Sequence, residues 1–456
     1  MRAILRHSAP CVLVLAGMAA HATRSHAATQ DRAAPAAAST LAGITDDARV
    51  LGALEELWRL ESEEQQPAVV QRLAALRSGA EETYLQGLAI TYGPGAAGDH
   101  RSALRRETLV ELLSGCHPDA LRDPLRAAAA SDEPALRCAA LRLLGEIGAW
   151  SQVELLFEAI AERPGAPEPD RQARDLFEEA LAGLLARDPA AFDALDQRSR
   201  ELSPASEVSV VRAVGAAGRV EGLPYLIDAA AWETVPAETA LAEIARLAPK
   251  VRGPCAVRLG DLLIGHASPE RPQACQAATQ ALGRLGCEQA VEVLIDLLDE
   301  EHRGVRESAH WALGRITGQS LALDLERWRA WYDAELDWYS SSGAPLDSAL
   351  ASGDPARIAA ALQEVAAHPI FGERFSPGLA EAARVAQPET RLFALHVIEL
   401  VRSTGTATTL LGLLEDGDPA TTERVQATLR HLTGLDGPTS ADEWQEALSW
   451  QADCSY

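Results

Sequence analysis

The sequence predicts an all-α fold, an α-solenoid of stacked antiparallel helix pairs arranged in two sub-arrays. Three observations predict it. The tetrapeptides Leu282-Gly283-Arg284-Leu285 and Leu313-Gly314-Arg315-Ile316 close two similar segments, and their glycines, at 283 and 314, stand 31 residues apart; that is the spacing of a repeated supersecondary unit. From about residue 46 onward the apolar residues recur at i, i+3 and i+4 rather than at alternate positions, as in Leu51, Leu54, Leu57 and Trp58, which is the period of an amphipathic helix. Each closing tetrapeptide is followed by a second apolar segment, such as 291–298. One such pair cannot cover both of its apolar faces, so successive pairs must stack.

The first 27 residues combine an early Arg2 and Arg6 with a short apolar run, 11–20, and small residues at Ser25 and Ala27. This is the pattern of a cleaved secretory signal, too short in its apolar part to span a bilayer. A periplasmic or secreted location is therefore expected, with no membrane insertion after signal cleavage. Residues 28–45 are small and turn-rich, and read as a flexible N-terminal segment. The formal charge of −25 becomes −28 once Arg2, Arg6 and Arg24 are removed. Such a surface repels phosphate backbones, so nucleic acid is not an expected partner. Seven cysteines become six, none in a C-x-x-C pair, and in a helical array they read as small core residues with at most one bridge.

Residues 46–339 carry the main array. Gly93-Pro94-Gly95-Ala96-Ala97-Gly98 fits G-x-G-x-x-G after a candidate strand at 88–92, but no parallel-sheet pattern follows it, and it reads as an inter-helix loop. Beyond it the helix-closing tetrapeptides place their second residues at 145, 182, 215, 245, 283 and 314. Small residues lie within the preceding helices, at Ala139, Ala140, Ser308 and Ala309, where neighbouring helices approach.

After the last of these units come Trp328, Trp331, Tyr332, Trp338 and Tyr339, then Ser340-Ser341-Ser342-Gly343-Ala344-Pro345. The aromatic run is expected to cap the first sub-array, and residues 340–346 to form a linker. Residues 347–456 form a second sub-array that closes in the same way: Thr317 to Trp328 and Thr433 to Trp444 are both separated by 11 residues.

The acidic turn, the Leu136-Arg137 and Val305-Arg306 pairs, the small-residue helix bodies and the L-G-x-[IL] close together resemble short HEAT repeats, of the kind called lyase-type HEAT-like repeats in bacteria. The resemblance implies a scaffold that binds a protein or peptide partner on a concave face, with no cofactor and no metal. Within it, Arg306 and Arg137 match the position at which such repeats use arginine to bridge an acidic turn residue. The best-marked candidate surface is Arg303, Arg306, Glu307, His310 and Trp311, an arginine-plus-aromatic cluster of the composition found at binding hot spots. No H-E-x-x-H, G-x-S-x-G or phosphate-loop lysine motif occurs, and no catalytic residues are assigned. The alternative is an enzyme or enzyme accessory, lyase-like or carbohydrate-acting, that uses a cleft at the bend of the array.

Overall fold

A computed structural model describes residues 47–59, 66–93, 100–148, 152–161, 171–195, 202–232, 235–385, 387–416, 419–435 and 437–452. The expected signal segment, residues 1–27, and the expected flexible segment, residues 28–45, lie outside them. The described residues contain no strand. The chain gathers into two compact units, one ending at Leu184 and one beginning at Leu185, so the division falls far upstream of the expected linker at 340–346.

The first unit comprises α1 (Ala48–Trp58), α2 (Gln66–Ala75), α3 (Glu81–Ile90), α4 (His100–Ser114), α5 (Pro118–Ala129), α6 (Pro134–Ile147), α7 (Val153–Ile160) and most of α8 (Arg171–Arg187). Helix α3 packs on α4, α5 and α6, and α6 packs in turn on α7. The candidate strand at 88–92 is instead the end of α3 and the turn after it. Tyr84, Leu85 and Leu88 are buried together on that helix, and the Tyr84 hydroxyl donates to the Leu73 carbonyl at 2.8 Å. Helical burial overrides the β-branched and aromatic character of the segment. Residues 94–98 of the glycine motif lie outside the described residues.

In the second unit, α9 (Pro204–Ala217), α10 (Leu223–Ala230), α11 (Ala237–Leu247), α12 (Gly253–His266), α13 (Pro272–Leu285), α14 (Val291–Asp296) and α15 (Arg303–Thr317) form the repeats. Helices α9, α11, α13 and α15 stack in one layer, each touching the next. Their ends are written locally. Pro204 and Pro272 open α9 and α13 at a position whose N–H has no intrahelical partner. Gly218, Gly286 and Gly318 close α9, α13 and α15 in the left-handed region, at φ 70, 77 and 72°, where a side chain is costly.

The glycine inside the closing tetrapeptide has a different task. A Cβ on Gly283 would stand 2.9 Å from Ala312 Cα, one on Gly215 would stand 2.6 Å from Glu243 Cβ, and in the first unit one on Gly145 would stand 3.1 Å from Ala180 Cα. Each such glycine lets the equivalent helix of the next repeat approach. At Gly314 the nearest atom is a carbonyl oxygen of its own following turn, Gln319 O, at 3.3 Å; the layer ends at α15.

The remainder is α16 (Leu325–Leu350), α17 (Pro355–Ala367), α18 (Ser376–Val385), α19 (Pro388–Leu400), α20 (Ala407–Leu410), α21 (Gly412–Asp416), α22 (Pro419–Thr433) and α23 (Ala441–Ala452). The expected linker at 340–346 is therefore wrong: α16 is one 26-residue helix that runs straight through it. Trp331, Tyr332, Trp338, Tyr339 and Leu346 lie along α16 and pack on the core made by Leu350, Phe371, Phe375, Leu395, Leu429 and Trp444. Burying that aromatic face outweighs the few kcal/mol that an internal proline costs, about 3 at Pro345. The Ser340 and Ser341 hydroxyls donate back to the Asp337 carbonyl at 2.9 Å, which keeps these polar side chains satisfied within the helix.

The equal spacing of Thr317–Trp328 and Thr433–Trp444 corresponds to one local structure built twice. Thr317 Oγ1 donates to Leu313 O at 2.7 Å and accepts from Gln319 N. Thr433 Oγ1 donates to Leu429 O at 2.7 Å and accepts from Leu435 N. Gly318 and Gly434 follow at φ 72 and 71°, and both tryptophans are fully buried.

Candidate functional site

Helix α15 carries all five sequence-predicted surface residues, and its geometry divides them. Positions 303, 307, 311 and 315 recur every four residues and share one stripe. Along it Arg303 Nε donates to Glu307 Oε1 at 2.6 Å, a solvent-exposed pair that water screens and that adds little to stability. Trp311 is 43 % exposed. Its ring lies over Gly283, where a Cβ would meet the indole at 2.7 Å, and the Arg315 guanidinium stands 5.8 Å from the ring centroid. The absent side chain of Gly283 thus seats an aromatic plate on the surface of α13, with a cation over it.

Arg306 and His310 turn away from this stripe. Arg306 Nη1 donates to the carbonyls of Glu300 and Glu301. His310 Nε2 is hydrogen-bonded to Leu321 O at 2.8 Å, and its ring meets buried Trp328 edge-on. Both hold the chain entering and leaving α15. The arginine position implied by the repeat resemblance is corrected in detail: Arg306 reaches backbone carbonyls and not an acidic side chain. Arg137 does the same to Ser131 O at 2.9 Å, as does Arg391 to Ala383 O at 3.0 Å. A guanidinium at the start of a helix satisfies carbonyls left open at the end of the preceding segment. Sequence reasoning missed Arg315, although its i+4 spacing from Trp311 was available. It also missed exposed Leu323, whose place in the turn after α15 has no sequence signal.

Among the cavities elsewhere, two are each lined by more than one arginine. In the first unit a cavity of about 560 Å3 is bordered by Tyr92, Arg106, Arg142, Arg171, Asp175 and Glu179. Its charges answer one another: Arg142 pairs with Glu146 and Glu179, Arg171 with Asp175, and Arg106 lies 4.4 Å over the Tyr92 ring. Burial pushes the Tyr92 hydroxyl up to about 12.

In the second unit α16 brings the later helices back onto the repeats, and α12 packs against α23. A cleft of about 130 Å3 forms there, lined by Arg252, Glu288, Glu373, Arg402 and His431 among others. Burial, reinforced by the charge of Glu373 and opposed by Arg402 and Arg374, pushes the Glu288 carboxyl up to about 8. Glu373 accepts hydrogen bonds from Thr404 N at 2.8 Å and Gly405 N at 2.9 Å. The Cys287 thiol beside it is raised to about 11, chiefly by burial, and is correspondingly unreactive. Cys116, Cys138 and Cys275 are likewise outside any disulfide, whereas Cys255 on α12 is disulfide-bonded. Among the described residues no group of three or more His, Cys, Asp or Glu side chains is placed to hold a metal ion. No described helix is long and apolar enough to cross a membrane.

The HEAT-repeat family model matches residues 259–329, which run from within α12 to the first turns of α16. Among solved structures the chain is similar to Kap121p, with 13% identity and a TM-score of 0.36 over 91% of this chain and 50% of that one. It is also similar to importin beta, with 12% identity and a TM-score of 0.34 over 98% of this chain and 69% of that one. The chain thus spans about half the length of Kap121p. A comparison with curated proteins finds no match. The family match lies on α12–α15, where the tetrapeptide glycines seat one helix pair against the next, so residues 259–329 carry HEAT repeats.

Proposed function

We propose that this chain is an exported scaffold, periplasmic or secreted, that binds a protein or peptide partner through the α15 stripe of Arg303, Glu307, Trp311 and Arg315. The observation that carries the reading is Trp311: a large aromatic side chain left 43 % exposed on a helix that buries Val305, Ala309, Ala312 and Leu313. A rigid indole under a guanidinium, flanked by further charges, is the chemistry of an interface anchor. Export is supported by the N-terminal signal pattern and by the disulfide at Cys255, since such bonds persist in oxidising compartments.

The test is cross-linking and co-purification from an envelope or culture-supernatant fraction, with the wild type beside Trp311→Ala and Arg303→Ala. Trp311→Ala is expected to leave the fold intact, because Val305, Ala309, Ala312 and Leu313 still bury the core face of α15. It is expected to weaken capture at least about tenfold, the effect of losing a hot-spot aromatic. Capture that survives both substitutions, or recovery of the chain solely from the cytosol with its N-terminus uncleaved, removes the corresponding part of the proposal.

A further inference from the structure

Besides Glu373 and the end of α22 with His431, three segments of the second unit line the small cleft: the first turn of α12, the turn after α13 and the turn after α19. The last two are built alike. Cys287 N donates to Leu282 O at 3.2 Å and Ser403 N to Ile398 O at 3.0 Å, so both helices end with a left-handed residue followed by a long return bond. After α13 that residue is Gly286, at φ 77°; after α19 it is Arg402, at φ 50°, the single non-glycine in this region among the described residues. A Cβ on Gly286 would come within 2.5 Å of Arg402 Nη1. The glycine therefore makes room for the guanidinium, and the arginine occupies a backbone position that glycine holds at less cost.

The charges around the cavity are not balanced. Arg252 and Arg402 both line it, and among the described residues neither has a carboxylate within ion-pair distance. Burial, and to a smaller extent the charge of Arg402, lower the pKa of Arg252. Glu373 is engaged by Thr404 and Gly405. Glu288, held largely protonated at neutral pH, is a hydrogen-bond donor there and not a competing anion. Helix α12 adds the positive end of its dipole, with no side-chain hydrogen bond at its N-cap, Arg252.

We propose that this cleft binds a small oxyanion, a carboxylate or phosphate group, between the guanidiniums of Arg252 and Arg402. A volume of about 130 Å3 takes a phosphate or a short carboxylate and excludes a nucleotide, whose pockets begin near 300 Å3. The site is separate from the α15 stripe, so it stands or falls independently of the partner proposed for that surface.

Calorimetry and thermal-shift titration of the full chain test it, with inorganic phosphate and succinate as separate arms and sodium chloride at matched ionic strength as the control. Saturable binding is expected in at least one arm, and the tighter arm identifies the source of the oxyanion. Arg402→Gly removes the guanidinium while giving the left-handed position its favoured residue, so the variant is expected to fold at least as well as the wild type. It should bind the anion at least about tenfold more weakly, the loss of one charge-assisted contact. Arg252→Gln should behave likewise. Absence of saturable binding in both arms up to about 100 mM, or binding unchanged in both variants, overturns the proposal.

Discussion

Glu288→Gln isolates one ionisable group that the fold holds away from its ordinary state. The carboxyl sits in the cleft facing Glu373, Arg402 and Arg374, with a pKa near 8 against an ordinary value of 4.5. Below about pH 4.5 the folded and unfolded chains both carry the proton, and the contribution to stability is fully present. Between 4.5 and 8 the folded chain keeps a proton that the unfolded chain has lost, so stability falls as pH rises; above 8 both are ionised and the loss is complete. One proton changes the folding equilibrium by up to about tenfold per pH unit, and from pH 5 to pH 8 this amounts to roughly two to three powers of ten. Glutamine has the shape of the protonated acid and no titration, so the variant should be more stable than wild type at pH 8 and close to it at pH 5. Urea unfolding followed by tryptophan fluorescence reads this directly, because seven of the nine tryptophans lie at or beyond residue 232, in the second unit. If the stability difference between variant and wild type stays constant from pH 5 to pH 8, Glu288 is not held protonated and the reasoning fails.

Gly283→Ala places a methyl group 2.9 Å from Ala312 Cα and 2.7 Å from the Trp311 ring; forcing α13 from α15 should cost about 1–3 kcal/mol and raise hydrogen exchange in both helices. Trp328→Ala and Trp444→Ala each empty a fully buried indole site and should each cost about 3–5 kcal/mol in denaturant midpoint. Similar losses are expected because the two sites share one local structure, and a negligible loss at either would refute that equivalence. Arg306→Ala leaves the Glu300 and Glu301 carbonyls without their guanidinium and should lower stability by about 1–3 kcal/mol. Arg303→Ala breaks only an exposed pair and should change stability far less, a contrast that thermal melts of the two variants resolve.

The legible part of the fold was the part whose cause is local. Pro272 opening α13 and Gly286 closing it act through backbone preferences that any neighbour along the chain reveals. The tetrapeptide glycines were legible as a repeat, and the structure shows their reason in the close approach of the next helix. In the candidate surface, three- and four-residue spacing places Arg303, Arg306 and His310 on one helical face, whereas in the structure Arg306 and His310 are claimed by carbonyls in turns whose paths no periodicity describes.

By itself, then, the sequence determined the helical class, the repeat register, the helix ends and the recurrence of the threonine-to-tryptophan closing unit, all effects of residues within about a dozen positions of one another. Tertiary structure alone decided that residues 340–346 continue α16, because the aromatic face of that helix is buried by a core that extends as far along the chain as Trp444. It alone assembled the cleft, in which Arg252, Glu288 and Arg402 meet from segments up to 150 residues apart. Turn chemistry in Ser-Ser-Ser-Gly-Ala-Pro is a local preference of a few kcal/mol. Burial of a tryptophan and tyrosine stripe is a larger, non-local term, and where the two conflict the larger one sets the path of the chain.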